Sequence, residues 1–245
     1  MPPQTFAIVT AHNEADRIAA TLDALTTAFP HARVLLGDDG STDDTAQIAA
    51  ARGARVVRSE RTVGKGEAAT LAAREALSSA RAEPDAAGSG AAEATFVLCD
   101  GDLGASAVAL AALAQAVERG DADVAVAAFS RRVGGGFGLA LGFARWAIRR
   151  RCGLQTLAPI SGQRALSERA LANVLPFAHG FGMEIGMTID AVRAGERVVE
   201  LELELEHRAS GRTLAGFAHR ARQLVDFVGV YLARGPLGRG RLARR

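Results

Sequence analysis

The chain has 245 residues, 49% hydrophobic and 23% charged, with a formal net charge of +2 and a mean hydropathy of +0.10. This composition excludes a disordered segment, a collagen-like repeat and a disulfide-framed mini-protein, and the length suits one large domain, or one and a half, with ample chain to bury a core. No charge-free apolar run of about 18 residues occurs, so no membrane-spanning helix is expected. The opening MPPQTFAIVTAHNE has neither a basic start nor a long apolar stretch, so no signal peptide is expected either. Cys99 and Cys152 lie far apart and form no CxxC or zinc spacing, which leaves a reduced, cytoplasmic protein as the expectation.

The N-terminal half alternates strand-like and helix-like stretches. Thr5–Ala11 is a short apolar run, followed by Asn13-Glu14 and a helical stretch to Phe29. Arg33–Gly37 is the second strand, ending at Asp38-Asp39-Gly40-Ser41, and helical periodicity runs from Asp43 to about Gly53. Ala54–Arg58 is the third strand and a helix spans about Gly66 to Ala80. Glu83–Glu93 reads as a surface loop from its Pro, Gly and Ser content. Ala94–Asp100 is the fourth strand, Ser106–Arg119 a helix and Ala122–Phe129 the fifth strand. Short apolar strands alternating with helices imply a mostly parallel sheet covered on both faces.

The second half is less regular. Arg131–Arg151 holds six arginines and no acid around an apolar GGGFGLALGFARWAI. ISGQRA (Ile160–Ala165) precedes a short helix that ends before Pro176, and Gly180–Gly186 leads into a helix to about Ala194. Glu196–Glu206 alternates strictly, as a strand with one wet face does. From Arg212 the chain reads as helical and basic, with eight arginines against one acid, Asp226.

In an open α/β sheet, ligands bind beyond the carboxyl ends of the strands. There the sequence puts His12-Asn13-Glu14, Asp38-Asp39 and Asp100-Gly101-Asp102. Acids and amides at such places also cap the helices that follow, but three clusters on one edge, two with paired acids, point to a site. Two carboxylates one residue apart at a strand end suit Mg²⁺ or Mn²⁺, which bind few protein groups and complete their shell with water and phosphate oxygens. Gly64-Lys65-Gly66 opens a helix, where small flanking residues and the helix N-terminus favour an anion, and the ammonium adds a point charge suited to a diphosphate. Lys65 is the single lysine among 29 basic residues, which is consistent with a need for a compact cation. The segment is not a P-loop, and no GxGxxG follows the first strand.

Together, AIVTAHNEADRI, LLGDDGSTDDT, GKGEA and DGDL resemble the nucleotide-sugar domain of GT-A glycosyltransferases of family 2 over about residues 5–130. The stretch ISGQRALSERALANVLPFAHGFGMEIGMTIDAV, with the later His207-Arg208, resembles glucosyl-3-phosphoglycerate synthases and their mannosyl counterparts. The resemblance implies an α/β fold of the GT-A type, Rossmann-like, with a helical C-terminal extension. Residues 1–210 would form the transferase domain, with a nucleotide-sugar half to 130 and an acceptor half from 131, and 211–245 the basic extension. It further implies that Ala11, His12, Asn13, Glu14, Asp38, Asp39 and Gly101 line the nucleotide-sugar site, and that Lys65 contacts the diphosphate. Asp102 would be the direct metal ligand, Asp100 would lie nearer the ribose or sugar while sharing the ion, and His207 would complete the metal site. Glu184 would stand near sugar and acceptor, in a positioning or base role.

The resemblance departs on the acceptor side. A GGRVTE-like loop is replaced here by Gly134-Gly135-Gly136-Phe137-Gly138-Leu139, and HRN by His207-Arg208-Ala209. The Arg131–Arg151 region instead resembles polyprenyl-phosphate sugar transferases, and its arginines among Phe137, Phe143 and Trp146 suit an anionic interface or a lipid phosphate. Arg131, Arg132, Arg164 and Arg208 are the expected acceptor contacts. The expected function is metal-dependent transfer of a sugar, glucose from UDP-glucose ahead of a GDP-sugar, to a phosphate-bearing acceptor, small or polyprenyl. A nucleotidyltransferase and a non-catalytic sugar-nucleotide binder at a membrane surface are the alternatives. Peripheral contact with the inner face of the cell membrane and a homodimer through Arg212–Ala233 are further expectations. No nucleic-acid partner is expected, since no aromatic-interleaved basic motif occurs.

Overall fold

The computed structural model describes residues 4–82, 93–129, 138–205 and 214–235. Its centre is a seven-stranded sheet in the order β3-β2-β1-β4-β6-β5-β7. The strands are β1 (Thr5–Ala11), β2 (Arg33–Asp38), β3 (Arg55–Arg58), β4 (Thr95–Asp100), β5 (Val124–Phe129), β6 (Arg164–Ser167) and β7 (Val198–Leu203). Strands β3, β2, β1 and β4 run parallel, β6 is antiparallel to both β4 and β5, and β7 joins β5 in parallel at the edge. This is the mostly parallel α/β sheet expected from the sequence.

Alternation along β1 feeds two cores. Phe6 and Ile8 join Leu35, Phe96 and Leu98 on one face, under α3 (Lys65–Ala82), α6 (Glu168–Val174) and α7 (Met183–Ala194). Ala7, Val9 and Ala11 join Leu36, Val97 and Cys99 on the other, under α1 (Ile18–Ala28), α2 (Thr45–Ala51) and α4 (Ala111–Glu118). A third cluster unites α5 (Gly138–Cys152), α7 and α8 (Leu214–Ala233) through Ala144, Ile148, Ile185, Ile189, Phe227 and Val230. Among the described residues no helix is long and apolar enough to cross a membrane.

Several elements differ from their expected form, each for a local reason. The first helix begins at Ile18 rather than near Asn13, because side chains of the β2–α2 loop and of the first residue of α2 claim the intervening amides. Asn13 N donates to Ser41 Oγ, Glu14 N to Thr45 Oγ1 and Ala15 N to Asp43 Oδ2. The helix expected over Ser106–Arg119 divides into a 3₁₀ turn, Gly104–Leu110, and α4. Strand β6 lies within the stretch read only as a lead-in; four residues flanked by strands on both sides are buried throughout and carry no alternation. Helix α5 occupies the arginine-rich segment, where glycines and all-round apolar residues hide a helical period. The alternation of Glu196–Glu206 becomes β7, with Val199, Leu201 and Leu203 packed inward, but within the strand the other face is wet only at Glu202, since Val198 packs on the second core and Glu200 accepts Leu157 N and Ala158 N. The loop expected at Glu83–Glu93 lies outside the described residues except for Glu93.

Candidate active site

The strand order reverses between β1 and β4: β2 and β3 extend one way from β1, and the chain then crosses back to β4 on its other side. A crevice beyond the carboxyl ends at such a point is where open α/β sheets place ligands. Register sets Thr10 beside Asp100 and Ala11 beside Asp38 there. The three polar clusters named from the sequence therefore do share one edge.

The Asp100-Gly101-Asp102 turn is locked to its neighbours. Gly101 N donates to Thr10 O at 2.9 Å, and Thr21 Oγ1 of α1 donates to Gly101 O at 2.8 Å while accepting Gly104 N at 2.8 Å. Glycine is required at the centre, because a Cβ on Gly101 would stand 2.9 Å from the Ala11 Cβ and 3.2 Å from Ile18 Cδ1.

Lys65, at the start of α3, reaches this turn. Its Nζ lies 2.6 Å from Asp100 Oδ1 and 2.8 Å from Glu184 Oε1. Burial works against the ammonium, yet the two carboxylates outweigh it and hold the Lys65 pKa above the usual lysine range. Burial likewise opposes ionisation of Asp100, and the charge of Lys65 with hydrogen bonds from Lys65, Gln163 and Thr10 holds its carboxyl below the usual range. Lys65 is thus set between two carboxylates.

Glu184 comes from the first turn of α7 and is 5% exposed. The segment 177–181 that leads into α7 is fastened to α3 and α8, which fixes the reach of Lys65 to Glu184. Phe177 N donates to Thr70 Oγ1 at 3.0 Å, Glu67 takes His179 Nδ1 and the amide of Gly180, and Phe181 N donates to Asp226 Oδ2 of α8 at 3.0 Å. At Gly66 the Ala178 carbonyl approaches so closely that a Cβ would not fit.

The residues expected to hold base and ribose are built into two stitched loops. Ala11 O accepts Asp39 N at 3.0 Å. His12, exposed, donates from Nδ1 to Asp39 O at 2.8 Å. Asn13, exposed and left-handed at φ 57°, accepts Thr42 N on Oδ1 at 2.8 Å. Glu14 is partly buried at the head of α1.

Three expectations are corrected. Asp38 is 0% exposed and cannot meet a ligand: it accepts Ser41 N and Ser41 Oγ and pairs with Arg58. Its neighbour Asp39 spends Oδ1 on Val63 N at 2.7 Å and Gly64 N at 2.9 Å. Gly64, one of the two glycines that flank Lys65, thus gives its amide to a carboxylate of the protein itself. Arg164, expected at the acceptor, is 0% exposed inside β6. It donates to Ser161 O, Thr188 Oγ1 and Glu184 O at 2.9–3.0 Å, and burial lowers its pKa to about 10. It is an internal brace of Glu184.

His207, Arg208, Arg131 and Arg132 lie outside the described residues, as does most of the Gly134–Leu139 loop. Among the described residues no three His, Cys, Asp or Glu side chains gather as a metal set. Asp100 and Asp102 nonetheless supply an oxygen-only donor pair, and Asp100 Oδ1 already takes a cation at 2.6 Å. That chemistry fits Mg²⁺ or Mn²⁺, whose shells are largely water and phosphate oxygens. Sequence reasoning missed Gln163, whose Nε2 donates to Asp100 Oδ2 at 2.8 Å; the ISGQRA segment gave it no strand of its own to place it.

The model of the family described as "Glycosyl transferase family 2" matches residues 6–172. The chain is 30% identical to a glucosyl-3-phosphoglycerate synthase of Mycolicibacterium paratuberculosis, over 89% of this chain and 69% of that protein. Among solved structures, it is similar to glucosyl-3-phosphoglycerate synthase from Mycobacterium tuberculosis in complex with Mn²⁺, UDP and phosphoglyceric acid. The TM-score is 0.72 at 25% identity, covering 97% of this chain and 81% of that one. The same enzyme with Mg²⁺ and UDP gives a TM-score of 0.71 at 25% identity, covering 97% and 82%. With Mn²⁺, UDP-glucose and phosphoglyceric acid the values are 0.70 and 25%, again over 97% and 82%.

Proposed function

The chain belongs to glycosyl transferase family 2, and we propose that it moves glucose from UDP-glucose, in preference to a GDP-sugar, to a phosphate-bearing acceptor. The observation that carries this reading is the ammonium of Lys65 held between Asp100 and Glu184 at the mouth of the β1/β4 crevice. Cleavage of a sugar–phosphate bond leaves negative charge on a nucleoside diphosphate, and donors aimed at the developing charge lower the barrier. Lys65 supplies such a donor, and Glu184 and Asp100 fix where it points.

Asp100 and Asp102 would hold Mg²⁺ or Mn²⁺, with His207 as a third ligand. The ion, when bound, supplies further positive charge for the leaving diphosphate. Ala11, His12, Asn13 and Glu14 line the side of the crevice where base and ribose fit, with Gly101 beneath. Asp39 serves this site by holding the Val63-Gly64 loop that delivers Lys65. Arg131, Arg132 and Arg208 are our candidates for the phosphate of the acceptor. The synthase structures bound to phosphoglyceric acid, or to glycerol 3-phosphate, support a small acid of this kind.

In this reading residues 1–210 are the transferase domain, divided near 130, and 211–245 the extension. We place the enzyme in the cytoplasm. Trp146, Val225 and Leu232 are each at least half exposed, and this face of α5 and α8 is where a second copy or an anionic membrane surface would dock.

Thermal unfolding with UDP, GDP, UDP-glucose and GDP-mannose, each with and without Mn²⁺, tests the donor assignment. A ligand at about 100 times its Kd stabilises by about 2.7 kcal/mol. The proposal expects a Mn²⁺-dependent rise with the uridine compounds. A rise with guanosine compounds alone would overturn the UDP assignment, and no rise with any would overturn the reading.

A further inference from the structure

Asp100 must present one defined oxygen to Lys65 in the site just proposed. A carboxylate can rotate about its last torsion, and nothing in Lys65 alone prevents it. The restraint comes from the segment Ser161-Gly162-Gln163, immediately before β6. Gln163 is 2% exposed and its Nε2 donates to Asp100 Oδ2 at 2.8 Å, while its Oε1 accepts the Ser161 hydroxyl at 3.1 Å. Because the Asp100 carboxylate only accepts, the amide has one sensible orientation, with its NH₂ towards Asp100 and its Oε1 left to take the Ser161 hydroxyl. The backbone is pinned as well, since Gln163 O accepts Ala127 N of β5 at 3.0 Å.

The neighbouring glycine completes the wall. A Cβ on Gly162 would stand 2.7 Å from Lys65 Nζ and 3.1 Å from Asp100 Oδ2, so the Lys65–Asp100 pair lies directly against the Gly162 backbone. A neutral donor suits this place better than a charged one. A carboxylate here would repel Asp100 and compete for Lys65, and a second cation would draw Asp100 away from it.

We infer that Gln163 is a positioning residue of the donor site: its buried amide, anchored by Ser161, turns Asp100 so that Oδ1 holds Lys65 in line with the leaving diphosphate. The inference rests on the donor-site reading above and adds a residue that does not itself touch substrate. It makes ISGQ part of the catalytic apparatus rather than a lead-in to a strand.

The test uses Gln163→Met, which keeps length and removes the donor, Gln163→Glu, which puts an anion against Asp100, and Ser161→Ala, which removes the hydroxyl that anchors the far side of the amide. Turnover of UDP-glucose with Mn²⁺ is resolved into kcat and KM, and melting temperature is measured without ligand. A contact felt mainly in the transition state lowers kcat and leaves KM nearly unchanged. The expected falls in kcat are about tenfold for Q163M, about a hundredfold for Q163E and about threefold for S161A, with KM for UDP-glucose within about threefold. Wild-type kcat in Q163M and S161A overturns the inference. So does a fall that vanishes once activity is expressed per folded molecule, which is the mark of a purely structural role. Should Q163E fail to fold, the other two variants decide. A wild-type chain that neither consumes UDP-glucose nor binds UDP with Mn²⁺ removes the donor-site reading and this inference together, whereas wild-type turnover with indifferent variants removes only the inference.

Discussion

The ammonium of Lys65 lies 2.6 Å from Asp100 Oδ1, although the two residues belong to different elements, the head of α3 and the end of β4. Glu184, from a third element, takes the same ammonium at 2.8 Å. One cation therefore ties together the strand end, the helix start and the later helix that frame the crevice.

Replacing Lys65 with Met removes the cation from between two anions. Activity is expected to fall at least a hundredfold, as on loss of a donor aimed at developing charge. Lys65→Arg is not expected to restore it, because a planar fork does not fit the space left by Gly162. The unpaired acids should also cost stability, about 2 kcal/mol after allowing for the partial exposure of Asp100. Steady-state kinetics and urea unfolding check both parts.

Asp102→Asn separates metal binding from folding. Without ligand its stability should stay within about 1 kcal/mol of the wild type. The Mn²⁺-dependent stabilisation by UDP should disappear, as it should for the wild type treated with EDTA. Paired thermal scans with and without UDP give the result.

Arg164→Met tests the corrected role of the buried guanidinium. Three internal acceptors lose their donor, so stability should drop by about 2–4 kcal/mol. The KM for acceptor should not move, because the side chain is sealed from the crevice. A raised acceptor KM in the folded variant would restore the original expectation.

Much of the fold is legible in the sequence. Strand β1 has the bounds its apolar run predicts, and β2 to β5 agree to within two residues at either end, because buried parallel strands show as short apolar runs between turn residues. The strand-end rule puts His12-Asn13-Glu14, Asp38-Asp39 and Asp100-Gly101-Asp102 on one edge, and the register of β1 with β2 and β4 does bring those strand ends together. What the sequence could not show was direction. Asp38 and Asp39 look identical in the string, yet β2 turns Asp38 inward to Ser41 and Arg58 while Asp39 faces the Val63 amide. Arg164 likewise looked like a cation for an acceptor, because β6 carries no alternation to mark it as buried.

Asp123 offers a pH test away from the crevice. Burial raises the proton affinity of its carboxyl, but hydrogen bonds from Arg197 and the charges of Arg197 and Arg169 overcome that and hold its pKa below the ordinary value. A depressed folded pKa contributes stability above the unfolded value of about 3.9 and loses it as pH falls through the folded value. Asp123→Asn should therefore be less stable than wild type by about 1–2 kcal/mol at pH 7. The gap should narrow as pH drops below about 4. Denaturant titrations at pH 7 and pH 3 compare the two.

The most direct test of the account is product analysis after incubating the chain with UDP-glucose, Mn²⁺ and phosphate-bearing acceptors, 3-phosphoglycerate and a polyprenyl phosphate among them. The account predicts UDP and one acceptor carrying a single added hexose, both lost in Lys65→Met and Asp102→Asn. Hexose transfer undiminished in Lys65→Met, or no transfer from UDP-glucose to any phosphate-bearing acceptor, would contradict it.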